Sequence, residues 1–120
     1  MGRTVMIVDD ALFMRNILRG IVLEKGYIVV SEAASGIEAM KKLHSHHPDI
    51  ILLDIILPDS NGLDLLQSIT ATSPESKVVI CSGIGQEQVI QKALELGAKA
   101  FIQKPFTPEK VVEVLEGLVG

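Results

Sequence analysis

Five polar side chains stand at or just beyond the ends of short aliphatic runs. Asp9 and Asp10 follow Val5-Met6-Ile7-Val8, and Asp54 closes Ile50-Ile51-Leu52-Leu53. Ser82 follows Val78-Val79-Ile80-Cys81, and Lys104 comes shortly after Ala100-Phe101-Ile102. Three carboxylates in one pocket repel one another, and their pKa values rise unless a cation sits among them. Oxygen ligands in a small site favour a hard divalent ion such as Mg2+, which keeps several waters and binds through few carboxylates. Lys104 brings positive charge without an oxygen, so it suits an incoming anion, and Ser82 can donate a hydrogen bond to that anion. Carboxylate, Mg2+, ammonium and hydroxyl together are equipped for phosphoryl transfer onto Asp54.

A parallel sheet would gather these residues, because all its strands end on one edge. The run from Pro48 to Asp54 has four consecutive aliphatic residues and is expected to be a strand buried on both faces, with Pro58 and Asn61-Gly62 turning the chain after it. Residues 12 to 25 are expected to form a helix with Phe13, Ile17, Leu18, Ile21 and Val22 on its apolar stripe and Gly26 closing it. Tyr27 to Ser31 is rich in strand formers. Ser35-Gly36-Ile37-Glu38 is a capping box, so a second helix is expected to begin near Gly36, with Ile37, Met40 and Leu43 apolar, to run out in His44-Ser45-His46-His47 and to be stopped by Pro48. Leu63, Leu66 and Ile69 mark a third helix; Val89, Ile90, Ala93 and Leu94 mark a fourth between Gln86 and Leu96. Thr107-Pro108-Glu109 is an N-cap followed by proline at the first helical position, and Val111, Val114, Leu115 and Leu118 form the last helix's inner face. Five strands alternating with five helices predict an α/β fold, a doubly wound parallel sheet with right-handed crossovers.

The 120 residues suit one domain with a real core. Hydrophobic content is 48% with no Trp and only three Phe, so that core is aliphatic. A net charge of −4 argues against nucleic-acid binding by bulk electrostatics. One cysteine excludes an internal disulfide and fits a reducing compartment. No apolar run approaches the ~18 residues of a membrane span, and no signal peptide fits the first residues. The expectation is a cytoplasmic protein. The first strand is followed by acids and not by a glycine-rich phosphate loop, so nothing points to a coenzyme.

At these spacings the sequence resembles the receiver domain of two-component response regulators over residues 1–120. The matching pieces are Val8-Asp9-Asp10, Asp54 with Leu57-Pro58 and Asn61-Gly62, Ser82-Gly83, and Gly97-Ala98 through Lys104-Pro105-Phe106. Asp9 through Arg15 and Ile80 through Gln86 suggest the single-domain chemotaxis type. The resemblance implies the flavodoxin-like strand order 2-1-3-4-5, of which such a regulator is itself a standard example. It implies Asp54 as phosphoacceptor, and Mg2+ held by Asp10, Asp54 and the Ile56 backbone carbonyl with Asp9 acting through water. Ser82 and Lys104 would hold the phosphoryl oxygens, Phe101 would be the aromatic switch, and Lys104-Pro105 would be cis. The phosphodonor would be a histidine kinase, and the output partner the flagellar motor switch or a phosphatase. The positions that control water access fall on Ile56 and Ile84, both aliphatic, which implies slow self-dephosphorylation.

Plainer roles suit other residues. His44, His46 and His47 fit a solvated helix end better than a metal cluster, Cys81 an inert core thiol, and Asp59 and Asp64 surface charges. Two other functions compete with the switch. One is a phosphorelay intermediate or a receiver excised from a longer regulator. The other is a metal-dependent hydrolase with Asp54 as nucleophile, but Ile56 cannot serve as its general acid and no insertion could form a substrate cap.

Overall fold

The structure is a computed structural model that describes residues 3–83 and 85–119. In chain order the elements are β1 (Thr4–Val8), α1 (Leu12–Glu24), β2 (Ile28–Ala33), α2 (Gly36–Leu43), β3 (Ile50–Asp54), β4 (Ile56–Leu57), β5 (Ser60–Asn61), α3 (Gly62–Thr72), β6 (Lys77–Ser82), α4 (Glu87–Glu95), β7 (Ala100–Gln103) and α5 (Pro108–Val119). The main sheet is parallel, with order β2-β1-β3-β6-β7. Counting only its own strands, this is the expected 2-1-3-4-5. The pair β4–β5 is a two-stranded antiparallel ribbon inside what the sequence suggested was a plain loop.

Strand alternation explains why these runs are apolar throughout. Met6, Val8, Ile51, Leu53, Val78 and Ile80 point to one side, where Ala39, Leu43, Leu65, Leu66, Ile69 and Ala93 of α2, α3 and α4 meet them. Val5, Ile7, Ile50, Leu52, Val79, Cys81 and Ile102 point to the other, against Leu18, Ile21 and Val22 of α1 and Val111 and Leu115 of α5. A strand covered on both faces has no position left for a polar residue. Ile50, Ile51, Leu52 and Leu53 are fully buried, and such side chains contribute about 1.5–3 kcal/mol each.

The helices narrow the expected apolar stripes. In α1, Leu18, Ile21 and Val22 are buried, but Phe13 and Ile17 are 66% and 47% exposed. In α2 Ile37 is exposed while Ala39 and Leu43 are buried. In α3 the buried residues are Gly62, Leu65, Leu66 and Ile69, with Leu63 only partly covered. A helix rotates about 100° per residue, so a stripe five positions wide is broader than the strip of sheet beneath it. Residues at its margin stay in solvent.

The ends of the helices follow local chemistry. Ser35 Oγ accepts from the Glu38 amide at 3.2 Å, and Glu38 Oε1 accepts from the Ala34 amide at 2.6 Å, one residue before the position an ideal capping box would serve. Thr107 Oγ1 accepts from the Lys110 amide at 3.1 Å, which caps α5 ahead of Pro108. Gly26 (φ 87°) and Gly97 (φ 115°) take the left-handed conformation directly after α1 and α4. There the Tyr27 and Ala98 amides donate back to Val22 and Ala93, closing both helices as Schellman motifs.

Candidate functional site

Parallel register brings the five polar residues to one edge. β1 delivers Asp9 and Asp10; β3 ends at Asp54, level with Cys81 of β6; and Ser82, the next residue of β6, is level with Gln103 of β7. Lys104 follows Gln103, and its amide donates to the Ser82 carbonyl at 2.6 Å. The Lys104-Pro105 peptide is cis, as expected. Lys104 Nζ lies 3.2 Å from Asp9 Oδ2 and 3.3 Å from Asp54 Oδ2, bridging the two carboxylates. The Asp54 carboxylate also accepts from the Ile56 amide at 3.0 Å, through Oδ1. Asp9 Oδ1 accepts from the Ala11 amide at 2.9 Å.

Burial differs sharply among these groups. Asp9 is 2% exposed and Asp54 8%, whereas Asp10 is exposed and, among the described residues, its carboxylate accepts no hydrogen bond. Ser82 is buried, and its hydroxyl has no partner among the described residues. Burial pushes the Asp54 carboxyl above the usual range and Asp9 adds to this, against the opposing pull of the Ile56 amide and the Lys104 ammonium. Burial alone would lower the Lys104 pKa, but Asp54 and Asp9 outweigh it and hold the ammonium above its ordinary value. The Cys81 thiol is pushed up to about 12 by burial. It is therefore protonated and inert, as the sequence suggested.

The site suits a hard cation. One carboxylate oxygen from each of Asp9, Asp10 and Asp54 can lie within 4.8 Å of the others. All three offer oxygen, and the exposed, unengaged Asp10 carboxylate opens the cluster to solvent. That donor set fits a hard divalent ion such as Mg2+, which keeps several of its waters.

The other expected residues are close by or distant in defined ways. Phe101, level with Ile80, is 42% exposed, so its ring lies partly outside the core. Ile56 is exposed beside Asp54 and does not fold into the core. Ile84 lies outside the described residues. The three histidines are exposed and belong to no metal-ligand group among the described residues, though His47 Nδ1 lies 3.3 Å from Ser73 Oγ.

Two residues with a part at this edge were given no site role by sequence. Asp59 is more than a surface charge: its two oxygens accept from the Gly36 and Ile37 amides at 2.9 and 3.1 Å, tying the loop after β3 to the start of α2. Those bonds hold its carboxyl below the usual range. Arg15 donates to the Asp9 carbonyl at 2.6 Å. A bonding partner 22 or 23 positions away leaves no local pattern that could have revealed Asp59, and Arg15 resembles an ordinary polar-face residue.

The family model for the response regulator receiver domain matches residues 5–116. The chain belongs to the response regulator receiver family. Among curated proteins this receiver is similar to chemotaxis protein CheY of Thermotoga maritima, 45% identical over 96% of each chain. It is also 46% identical to chemotaxis protein CheY of Listeria monocytogenes, over 92% of this chain and 93% of that one. Among solved structures it superimposes on CheY in the CheX–CheY–BeF3–Mg2+ complex from Borrelia burgdorferi with a TM-score of 0.93, at 33% identity over 98% of this chain and 90% of that one. Receivers of this CheY-like kind are signalling proteins. Among the described residues no helix is long and apolar enough to cross a membrane.

Proposed function

We propose that this receiver is a phosphorylation-activated switch in which Asp54 takes a phosphoryl group from the phosphohistidine of a histidine kinase in the cytoplasm. The observation that carries the reading is Lys104 Nζ bridging Asp54 and Asp9 beside the exposed Asp10 carboxylate. An Asp54 oxygen forms the new bond to phosphorus, and the imidazole nitrogen leaves with the electron pair of the bond that breaks. The Ile56 amide fixes the Asp54 carboxylate plane. Lys104 is free to exchange a carboxylate contact for an incoming phosphoryl oxygen. Asp10, Asp54 and the Ile56 carbonyl would hold Mg2+, with Asp9 acting through water. That ion supplies neutralisation of the phosphoryl charge when bound.

The buried Ser82 hydroxyl, without a partner among the described residues, gains a hydrogen-bond acceptor when a phosphoryl group arrives. Its movement toward that group vacates space on the β6 side, and Phe101 turns in to fill it. A phenyl ring can be buried with no unsatisfied polar atom. The altered surface then changes affinity for a partner protein; by similarity to the chemotaxis relatives this is the flagellar motor switch, or a phosphatase that resets the signal. Ile56 offers no hydrogen bond to an attacking water, which supports slow self-dephosphorylation.

Acetyl phosphate with Mg2+ tests the reading, followed by intact mass spectrometry. One phosphoryl group per chain, absent in Asp54→Asn and decaying faster in Ile56→Asn, is expected. Many turnovers of acetyl phosphate without a stable adduct would point to a hydrolase instead.

A further inference from the structure

Asp10 is the exposed member of the acidic cluster, and no hydrogen bond among the described residues orients its carboxylate. The backbone that carries it therefore decides where its Cα–Cβ bond departs and which positions its carboxylate can reach. The Asp9 carbonyl and the Asp10 amide belong to one planar peptide unit, so whatever fixes that carbonyl fixes the plane from which the Asp10 side chain departs. Arg15 Nη1 donates to this carbonyl at 2.6 Å, while Arg15 Nε donates to Glu32 Oε1 at 3.3 Å. Both side chains are largely shielded, at 15% and 22% exposure, which favours a persistent pair over a solvated one. Glu32 is a firm anchor: it sits on β2 level with Ile7, its carbonyl accepts from Lys42 Nζ, and its second oxygen lies 3.6 Å from Arg19 Nη1. A planar guanidinium can hold two partners in a fixed relation, which one ammonium nitrogen cannot reproduce.

We propose that Arg15 is a positioning residue: braced by Glu32, it clamps the Asp9–Asp10 peptide and so aims the Asp10 carboxylate at the divalent cation. The inference rests on reading Asp9, Asp10 and Asp54 as a Mg2+ site. It makes a prediction opposite in sign to simple electrostatics. Removing a positive charge near a dication site should tighten Mg2+ binding, whereas losing a positioning contact should weaken it, typically by about 10-fold or more for groups behind a metal ligand.

The test is calorimetric titration of the unphosphorylated protein with Mg2+ in wild type, Arg15→Gln, Arg15→Lys, Glu32→Gln and Asp10→Ala. Thermal melts and amide spectra of the metal-free proteins accompany it. Arg15→Gln, Arg15→Lys and Glu32→Gln should each bind Mg2+ about 10-fold more weakly. The metal-free Asp10 amide resonance should also shift in all three. Tighter or unchanged binding in Arg15→Gln, or full affinity in Arg15→Lys, would overturn the positioning role while wild type and Asp10→Ala still define a Mg2+ site. Absence of Mg2+ binding in wild type, or its persistence in Asp10→Ala, would overturn the site reading and the positioning role together.

Discussion

On the flank of Asp54 built from β1, β2 and α2, Asp9 and Asp59 are already engaged, although the Asp10 carboxylate and the Ser31 hydroxyl have no partner among the described residues. Asp9 uses its amide on Ala33, its carbonyl on Arg15, and its two carboxylate oxygens on Ala11 and Lys104. Asp59 holds the first amides of α2. On the opposite flank, built from β6, α4 and β7, the Ser82 hydroxyl is buried without a partner among the described residues, Phe101 is partly in solvent, and Gln86, the N-cap of α4, makes no side-chain capping bond. The Gln86 side chain instead accepts from the Gly83 amide at 2.6 Å. Groups that must receive an ion gain from being fixed in advance. Groups that must report a new phosphoryl group need an unmet bond and room to move, because a ligand shifts an equilibrium only by what it binds differently in the two states.

The largest expected effect breaks the fixed flank. Asp10→Ala should reduce Mg2+-dependent labelling of Asp54 by acetyl phosphate to background while the fold persists. Its melting temperature should be unchanged or higher, since repulsion within the cluster is relieved. Normal labelling would remove Asp10 from the metal's ligands.

A smaller effect compares Gly62, the first residue of α3, with Gly83 in the loop that follows β6. A Cβ at Gly62 would stand 2.1 Å from the Ile55 carbonyl oxygen, a backbone atom that cannot swing aside. At Gly83 the nearest atom is Gln86 Oε1, at 3.7 Å. Gly62→Ala should destabilise by about 1–3 kcal/mol in urea unfolding, and Gly83→Ala by no more than about 0.5 kcal/mol. Equal costs would show that the two positions are packed alike.

On the flank of β6, α4 and β7, Ser82→Ala should raise stability by up to about 1 kcal/mol, because it deletes a buried hydroxyl with no partner among the described residues. The same variant should leave Phe101 in its resting position when beryllofluoride and Mg2+ are added, as read from the ring's NMR shifts. A Phe101 that still turns inward would separate the ring from Ser82.

The smallest expected effect concerns Asp59. Its carboxyl is held below the ordinary value by the α2 amides, so its stabilisation is present above the unfolded-state pKa and is lost as pH falls through the lower folded value. Asp59→Ala should melt below wild type at neutral pH, and the gap should close from about pH 4 downward. Asp54 has the opposite sign: its raised folded pKa favours the native state in acid, an advantage that fades as pH rises through that value. A gap for Asp59→Ala that stayed constant into acid would assign its effect to something other than the charged cap.

Local order carried much of this into view. Ile50 to Leu53 reads as a strand covered on both faces, and strands alternating with helices in a parallel sheet then bring Asp9, Asp10, Asp54, Ser82 and Lys104 to one edge. Ser35, Thr107, Gly26 and Gly97 mark helix ends because caps act within a few residues. The tertiary structure decided the rest. Phe13, Ile17 and Ile37 lie in apolar patterns yet face solvent, because periodicity shows which residues share a face and not how much of that face a neighbour covers. Asp59 reaches Gly36, and Arg15 spans Asp9 and Glu32, across separate loops and strands. Side chain-to-backbone bonds of that range depend on where two elements meet in space, and no spacing along the chain encodes them.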